Sequence, residues 1–239
     1  MKRALVTGGS GGIGAAICQR LARAGLHVLV HANRNRASAE TVAGEIRAAG
    51  GSAETVAFDV ADAAASRAAL EAMLAAGPIQ VLVNNAGIHD DAPLAGMTLE
   101  QWRRVIDVSL NGFYNVTQPL LLPMLRTRWG RIISLSSIAG VTGNRGQANY
   151  AAAKAGLHGA ARSLALEVAS RGVTVNVVAP GIIATAMAEQ AFSKEQIEQM
   201  VPVKRAGTPA EVAALVGFLA SEEAAYLTGQ VISINGGMA

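Results

Sequence analysis

Short apolar runs alternate with amphipathic segments along the whole of this chain, and that alternation leaves few folds open. The runs are Ala4–Val6, Val28–Val30, Thr55–Phe58, Val81–Val83, Ile132–Leu135, Val173–Val178 and Val231–Ile234. Between them, spans near 12–24, 36–49, 62–76, 99–127, 149–170 and 209–220 carry apolar residues at helical spacing. Seven strands alternating with six helices predict an α/β fold. It is a single doubly wound parallel sheet of about seven strands, with helices on both faces and right-handed crossovers. Hydrophobic residues at 51% against 15% charged suit a sheet buried on both faces. The 239 residues show no linker, repeat or low-complexity tract, so 1–239 reads as one domain. Only 182–208 breaks the rhythm. It follows a strand's carboxyl end, where a substrate lid would sit.

In such sheets ligands bind beyond the carboxyl ends of the strands. Polar and small residues collect there. Gly8 to Gly14 follow the first run, Asn33-Arg34 the second, Asp59-Val60 the third and Asn84-Asn85-Ala86-Gly87 the fourth. Ser136-Ser137 follow the fifth and Pro180-Gly181 the sixth. The first of these turns joins a strand to a helix carrying Ile13, Ile17, Leu21 and Ala24 on one side. Glycines there let backbone N–H groups approach a phosphate, and the helix N-terminus adds a favourable dipole. The spacing Gly8…Gly12…Gly14 overlaps a second one, Gly9…Gly11…Gly14, that also satisfies the dinucleotide fingerprint.

Tyr150-Ala151-Ala152-Ala153-Lys154 adds chemistry. Four residues make about one helical turn, so the two side chains share a face. A free phenol has a pKa of about 10 and is a poor acid near neutrality. A nearby ammonium stabilises the phenolate and is expected to lower that value. The pair suits proton exchange with an oxygen on carbon.

Other chemistries find little support. Aromatic residues are 4% and the net charge is +3 with no dense basic run, which disfavours a nucleic-acid partner. His27, His31, His89 and His158 show no metal-ligand spacing, so no metal is expected. The single Cys18 excludes an intrachain disulfide and fits a reducing compartment. Met1-Lys2-Arg3 runs straight into the first strand, which leaves no room for a signal peptide, and no apolar stretch is long enough for membrane insertion. A cytoplasmic protein is the expectation.

Taken together, these residues resemble the short-chain dehydrogenase/reductase family. The pattern TGxxxGxG appears as Thr7-Gly8-Gly9-Ser10-Gly11-Gly12-Ile13-Gly14, and NNAG as Asn84 to Gly87. A serine stands thirteen residues before Tyr150, at Ser137, and a PG pair at Pro180-Gly181 is followed by Thr185. Within the family the closest likeness is to the 3-oxoacyl-carrier-protein reductases, through Gly146 to Gly156, Ala169 to Asn176 and the tail Leu219 to Gln230. The resemblance implies a Rossmann-like fold and reduction of a 3-oxoacyl group on an acyl carrier protein, in fatty-acid or related acyl-chain synthesis. Tyr150 would donate the proton, Lys154 would lower its pKa and hold the nicotinamide ribose, and Ser137 would bind the carbonyl oxygen. Ser136, one position out of register, reads as structural. The glycine loop, with Thr7, Gly8, Ser10, Gly12, Ile13 and Gly14, would hold the pyrophosphate. Asn85, Ala86 and Gly87 would follow the adenine ribose, and Asp59-Val60 the adenine edge. Pro180, Gly181 and Ile183 would frame the nicotinamide, with Thr185 near its amide or the pyrophosphate.

One position departs from the family. Relatives carry an asparagine 41 residues before the tyrosine, where it holds a water in a proton relay; here it is Ser109. Asn111 would point about 200° away on a helix and replaces it poorly. Ser109 could hold the water itself; the alternative is a non-catalytic cofactor-binding partner subunit. The cofactor expected is NADPH. The second strand ends in Asn33-Arg34-Asn35-Arg36, with no acid to bind a ribose 2′-hydroxyl and two arginines to meet a 2′-phosphate. Arg34 is the preferred contact, though both arginines could simply begin a solvated helix. Arg128 and Arg171 match the positions from which carrier-protein reductases face their acidic partner, or are solvated surface residues. Ile182, Met187 and Phe192 of the lid line an acyl channel or pack in the core. By resemblance the long helix near 99–127 and the one around Tyr150 form the interfaces of a homotetramer, although their small residues could equally pack on the chain's own sheet. Acyl-CoA esters, or another ketone or alcohol, are the alternative substrates.

Overall fold

The computed structural model describes residues 1–185 and 192–239. Seven parallel strands form one sheet in the order β3-β2-β1-β4-β5-β6-β7. They are β1 (Arg3–Val6), β2 (His27–Ala32), β3 (Ser52–Ala57), β4 (Val81–Asn84), β5 (Gly130–Leu135), β6 (Val173–Pro180) and β7 (Val231–Ile234). Strand side chains alternate between two cores. Ala4 and Val6 face one layer with Ile17, Leu21, Val42, Ile46 and Val216. Leu5 faces the other with Leu70, Met73, Leu120, Ala161 and Val175. The first layer is built from α1 (Gly12–Arg23), α2 (Arg36–Ala48) and a late helix at Pro209–Leu219; the second from α3 (Ala63–Ala75) and two long helices described next. Because β1 pairs with β2 on one side and β4 on the other, the strand order reverses there, and a crevice opens at the carboxyl ends.

Three elements differ from the expectation. The third strand starts at Ser52, ahead of the apolar run at Thr55, and ends at Ala57. It is an edge strand paired only with β2, so its face carries exposed Glu54 and no continuous apolar signal. The single helix expected near 99–127 is interrupted. α4 (Leu99–Ile106) gives way to a π-helical turn at Asp107–Asn111 and then α5 (Gly112–Arg126). Such turns insert one residue into the helical ladder without a breaker in the sequence, and they recur at functional sites. One short helix was not anticipated, α6 (Ile138–Thr142); α8 (Lys194–Met200) is the short polar helix that the sequence pattern of the lid allows. Between them lies α7 (Ala148–Val168), and α9 (Pro209–Leu219) precedes β7. Of the lid residues named above, Met187 lies outside the described residues.

No helix among the described residues is long and apolar enough to cross a membrane, and no cluster of three metal-ligating side chains occurs among them.

Candidate active site

Space forces the glycines after β1. At Gly8, where φ is 63°, a Cβ would lie 3.0 Å from Asn85 Nδ2 and 3.1 Å from Ala86 Cα. At Gly14 it would lie 2.1 Å from the Gly8 carbonyl oxygen, so α1 can approach the loop only through glycine. The loop is open elsewhere. Among the described residues nothing lies within 4 Å of a Cβ built at Gly11, and at Gly12 only Thr185 Cγ2 comes near, at 3.7 Å. That opening faces the N-terminus of α1, which has no side-chain cap and no acid in its first turn. By contrast α2, α3, α4, α8 and α9 are capped by Asn35, Asp62, Thr98, Ser193 and Thr208. The α1 terminus therefore keeps its orphan N–H donors and its positive dipole end for an anion.

Thr7 and Asn85 brace this loop instead of facing the opening. Thr7 Oγ1 donates to the Val83 carbonyl at 3.3 Å and accepts from the amides of Asn85 and Ala86 at 3.0 Å each. Asn85 Nδ2 donates to the carbonyls of Thr7 and Gly8 at 2.9 and 3.0 Å. Their side chains tie β1 to β4, which aligns the two strand ends at the crevice.

Across the crevice stand Ser137, Tyr150 and Lys154. Ser137 follows β5 and caps α6, its Oγ accepting from the Ala139 amide at 3.2 Å. Its side chain also hydrogen-bonds that of Tyr150. Lys154 is 3% exposed, and its Nζ donates to the Leu135 carbonyl at 2.7 Å. The same Nζ lies 5.6 Å from the centre of the Tyr150 ring. Burial pushes the Lys154 pKa down to about 8. Burial also pushes the Tyr150 phenol up; the Ser137 bond opposes this, and the negative charge of Asp91 adds to it. The net direction at Tyr150 is thus upward, opposite to the lowering anticipated from the lysine. The reason is geometric: the ammonium is directed at Leu135, and burial weakens its own charge. Ser136 Oγ donates to the Lys154 carbonyl at 3.0 Å and sits 2.8 Å from His158 Nε2, so it holds α7 against β5.

Ser109 lies behind the lysine, on the π-helical turn, and is 4% exposed. Its Oγ has no hydrogen-bond partner among the described residues. A Cβ on Gly87 would lie 3.0 Å from Lys154 Nζ and 3.5 Å from Ser109 Oγ, so both polar atoms converge beside that glycine. Asn111 turns away, its exposed amide donating to Asp107 Oδ1 at 2.7 Å.

A cavity of about 510 Å³ runs from the start of α1 to Ser137 and Tyr150. Ile13, Ser137, Tyr150, Pro180, Gly181, Ile183 and Thr185 line it, with apolar walls from Ile182, Phe192, Met200 and Met238. Ile183 is mostly committed to the core, at 6% exposed, and Ile182–Ala184 are anchored through backbone bonds to Gly207. At the mouth Asp91 accepts from Gln147 Nε2 at 2.8 Å and faces His89 Nδ1 at 3.4 Å.

The remaining candidates are spread along the crevice or away from it. Asp59 Oδ1 accepts from the Ala61 amide, and the Val60 carbonyl accepts from Asn115 Nδ2 at 2.9 Å. Ser10 is half-buried beside the glycine opening. Asn33 and Arg34 are exposed at the end of β2, and Arg34 makes no ion pair among the described residues. Arg128 and Arg171 stand just before β5 and β6, at the opposite edge of the sheet. Their turns touch, since a Cβ on Gly172 would lie 2.4 Å from the Arg128 carbonyl oxygen. A six-residue strand separates that edge from the cavity, about 20 Å.

Sequence reasoning missed Asn115, Asn149 and Met238. Asn149 Nδ2 donates to the carbonyls of Asp90 and Gln101, and its Oδ1 accepts from the Tyr150 amide at 2.8 Å, which fixes the start of α7. Its signal was a buried amide next to the tyrosine. Met238 carries no local signal, because the tail reaches the cavity through long-range packing, Asn235 against Gly181 and Gly236 against Val201 and Val203.

The open cradle over Gly11 and Gly12, the uncapped α1 terminus and the cavity running from Ile13 to Tyr150 fit a bound dinucleotide. Comparison with known proteins agrees. The short chain dehydrogenase family model matches residues 2–196. A 3-oxoacyl-[acyl-carrier-protein] reductase FabG of Aggregatibacter actinomycetemcomitans is 45% identical over 236 residues, covering 98% of both chains. A 3-oxoacyl-[acyl-carrier-protein] reductase of Synechocystis sp. is 47% identical over 237 residues, covering 98% of this chain and 96% of the relative. An acetoacetyl-CoA reductase of Acinetobacter sp. is 43% identical over 245 residues, covering 99% and 97%.

Proposed function

This chain belongs to the short-chain dehydrogenase family, and on that premise we propose that it reduces 3-oxoacyl-[acyl-carrier-protein] to the 3-hydroxyacyl form with NADPH. The observation that carries the proposal is the shared cavity. Ser137 and Tyr150 line it together with Ile13, from the start of α1, and Thr185, which lies against the glycine cradle. NADPH, when bound, supplies the hydride. Tyr150 supplies the proton to the former carbonyl oxygen, and burial keeps that proton in place at neutral pH, as a donor requires. Ser137 hydrogen-bonds the same oxygen and offsets the charge that develops there. Lys154 holds a positive charge within reach of the phenol and of a ribose hydroxyl. Ser109, with an unused hydroxyl converging on that ammonium, holds the water through which the proton is replaced. Unchanged steady-state turnover in Ser109→Ala would remove it from this path.

The walls formed by Ile182, Phe192, Met200 and Met238 suit an acyl chain. A role in fatty-acid or related acyl-chain synthesis follows, in the cytoplasm, where the unpaired thiol of Cys18 stays reduced. The Acinetobacter relative favours a second reading in which the thioester is carried on CoA. Rates of NADPH oxidation with acetoacetyl-carrier protein and acetoacetyl-CoA separate the two. The carrier thioester is expected to show the higher kcat/KM; equal or better use of the CoA ester contradicts the carrier assignment.

Arg34 supports NADPH over NADH, as an exposed guanidinium at the end of β2 with no carboxylate partner among the described residues. Arg34→Glu is expected to lower the NADPH-to-NADH ratio of kcat/KM by about tenfold or more, through lost attraction and added repulsion of the 2′-phosphate. An unchanged ratio would place the discrimination elsewhere.

Arg128 and Arg171 support docking of an acidic carrier. With both arginines at the far edge, our reading places the cavity they serve on another copy of the chain in a homotetramer. Exposed Tyr114 and Leu122 on α5 and Leu166 on α7, at 64%, 65% and 87%, supply apolar surface for such an assembly. A monomer mass by sedimentation would refute the assembly. Reversing both arginines to glutamate is expected to raise KM for the carrier thioester several-fold and to spare acetoacetyl-CoA. Equal loss on both substrates counts against docking there.

A further inference from the structure

His31 is buried near the end of β2, behind the crevice, and neither the glycine loop nor the proton chemistry accounts for it. It is 1% exposed, and both ring nitrogens are engaged. Nδ1 lies 3.1 Å from the Gly8 amide nitrogen, and Nε2 lies 2.9 Å from the Phe58 carbonyl oxygen. An amide N–H only donates and a carbonyl only accepts. Nδ1 must therefore present its lone pair and Nε2 must carry the hydrogen, which makes the ring neutral and fixes its tautomer. Burial, which lowers the pKa of this ring, acts in the same sense; the Phe58 bond and the charge of Asp59 oppose it. The ring also packs 4.2 Å from that of Phe58. Backbone bonds add to the connection, from the Gly9 amide to the His31 carbonyl and from the Phe58 amide to the Ala32 carbonyl.

One side chain thus links three strand ends: the turn after β1, the end of β2 and the exit of β3, immediately before Asp59 and Val60. We propose that His31 is a positioning residue for dinucleotide binding, setting the Gly8 turn against the Phe58–Val60 exit so that the phosphate cradle and the adenine edge stay in register. The proposal rests on the dinucleotide reading of the crevice. His31 touches no reacting atom, so its loss should appear in binding and not in the chemical step.

The test compares His31→Leu with His31→Asn. An asparagine Oδ1 can accept from the Gly8 amide as Nδ1 does; leucine cannot and leaves that donor unpaired. NADPH is titrated into the protein without substrate, by the fluorescence of the reduced nicotinamide, with NADH in parallel. His31→Leu is expected to weaken binding about tenfold and His31→Asn about threefold or less, with kcat at saturating cofactor within about twofold of the parent in both. A leucine variant that melts earlier but binds with the parental Kd overturns the proposal, as does a loss confined to kcat. Should His31→Leu fail to fold, nitrogen NMR of the unsubstituted protein decides. Ring shifts of a neutral imidazole with hydrogen on Nε2 support the proposal; a proton on Nδ1 overturns it. Binding is read without substrate, so failure of the reductase reading would be seen separately.

Discussion

Tyr150→Phe is expected to lower kcat/KM for a 3-oxoacyl thioester by about a thousandfold, with NADPH affinity changed by about twofold at most. Phenylalanine keeps the ring in place at the start of α7 and removes only the oxygen. The backbone amide of residue 150 still donates to Asn149 Oδ1, so the helix start is retained. Ser137 loses its hydrogen-bond partner, but it keeps the Ala139 amide and therefore its position. The defect falls on proton delivery alone. Initial rates and a cofactor titration on one preparation separate the two effects. Undiminished turnover would show that the proton comes from elsewhere.

Lys154→Met carries the second large effect, and it has two opposite signs. Turnover should fall by about a hundred- to a thousandfold, because no positive charge remains beside the phenol. Stability of protein prepared without dinucleotide should rise. The folded-state pKa of about 8 lies below the ordinary 10.5, so the buried ammonium opposes folding at neutral pH by about 3 kcal/mol. Methionine removes that cost, and the lost bond to Leu135 returns about 1 kcal/mol of it. The remaining gain of about 2 kcal/mol corresponds to about 5 °C in Tm for a chain of this size. Between pH 8 and 10.5 the unfolded chain binds a proton that the folded lysine does not. Parental stability therefore climbs with pH across that window, and the advantage of the variant shrinks. Calorimetry at pH 7 and pH 10 measures the change across most of that window. A variant less stable than its parent at pH 7 would mean that the ammonium is better accommodated than its burial implies.

The fold was legible because each parallel strand here is a compact apolar run and each crossover helix an amphipathic one. The exceptions have specific causes. The start of β3 at Ser52 hid because an edge strand needs no continuous apolar signal, and the π turn at Asp107–Asn111 hid because it inserts a residue without a glycine or proline. At the site, Ser137, Tyr150, Pro180, Gly181 and Thr185 were legible through their spacing, and the cavity brings them together. The division of labour among neighbours was not. Thr7 and Asn85 belong to the same motifs, yet they brace the strand ends; only the hydrogen-bond pattern distinguishes a contact residue from the frame behind it. The direction of the Tyr150 shift was hidden for a related reason. Helical spacing shows that a lysine is near, but not that its ammonium is turned toward the Leu135 carbonyl. His31 has no motif at all, and its role depends on partners from two other strands.

Reduction of a ketone to an alcohol, with the chain's own phenol as the acid, is the step proposed for this cavity. A single turnover tests it most directly: enzyme in excess over acetoacetyl-carrier protein, mixed with NADPH and followed by loss of reduced-nicotinamide absorbance and by recovery of the thioester. The expected result is one NADPH consumed for each 3-hydroxybutyryl thioester formed. Firm binding of NADPH with none consumed, on either the carrier or the CoA thioester, would instead identify a cofactor-binding partner that performs no reduction.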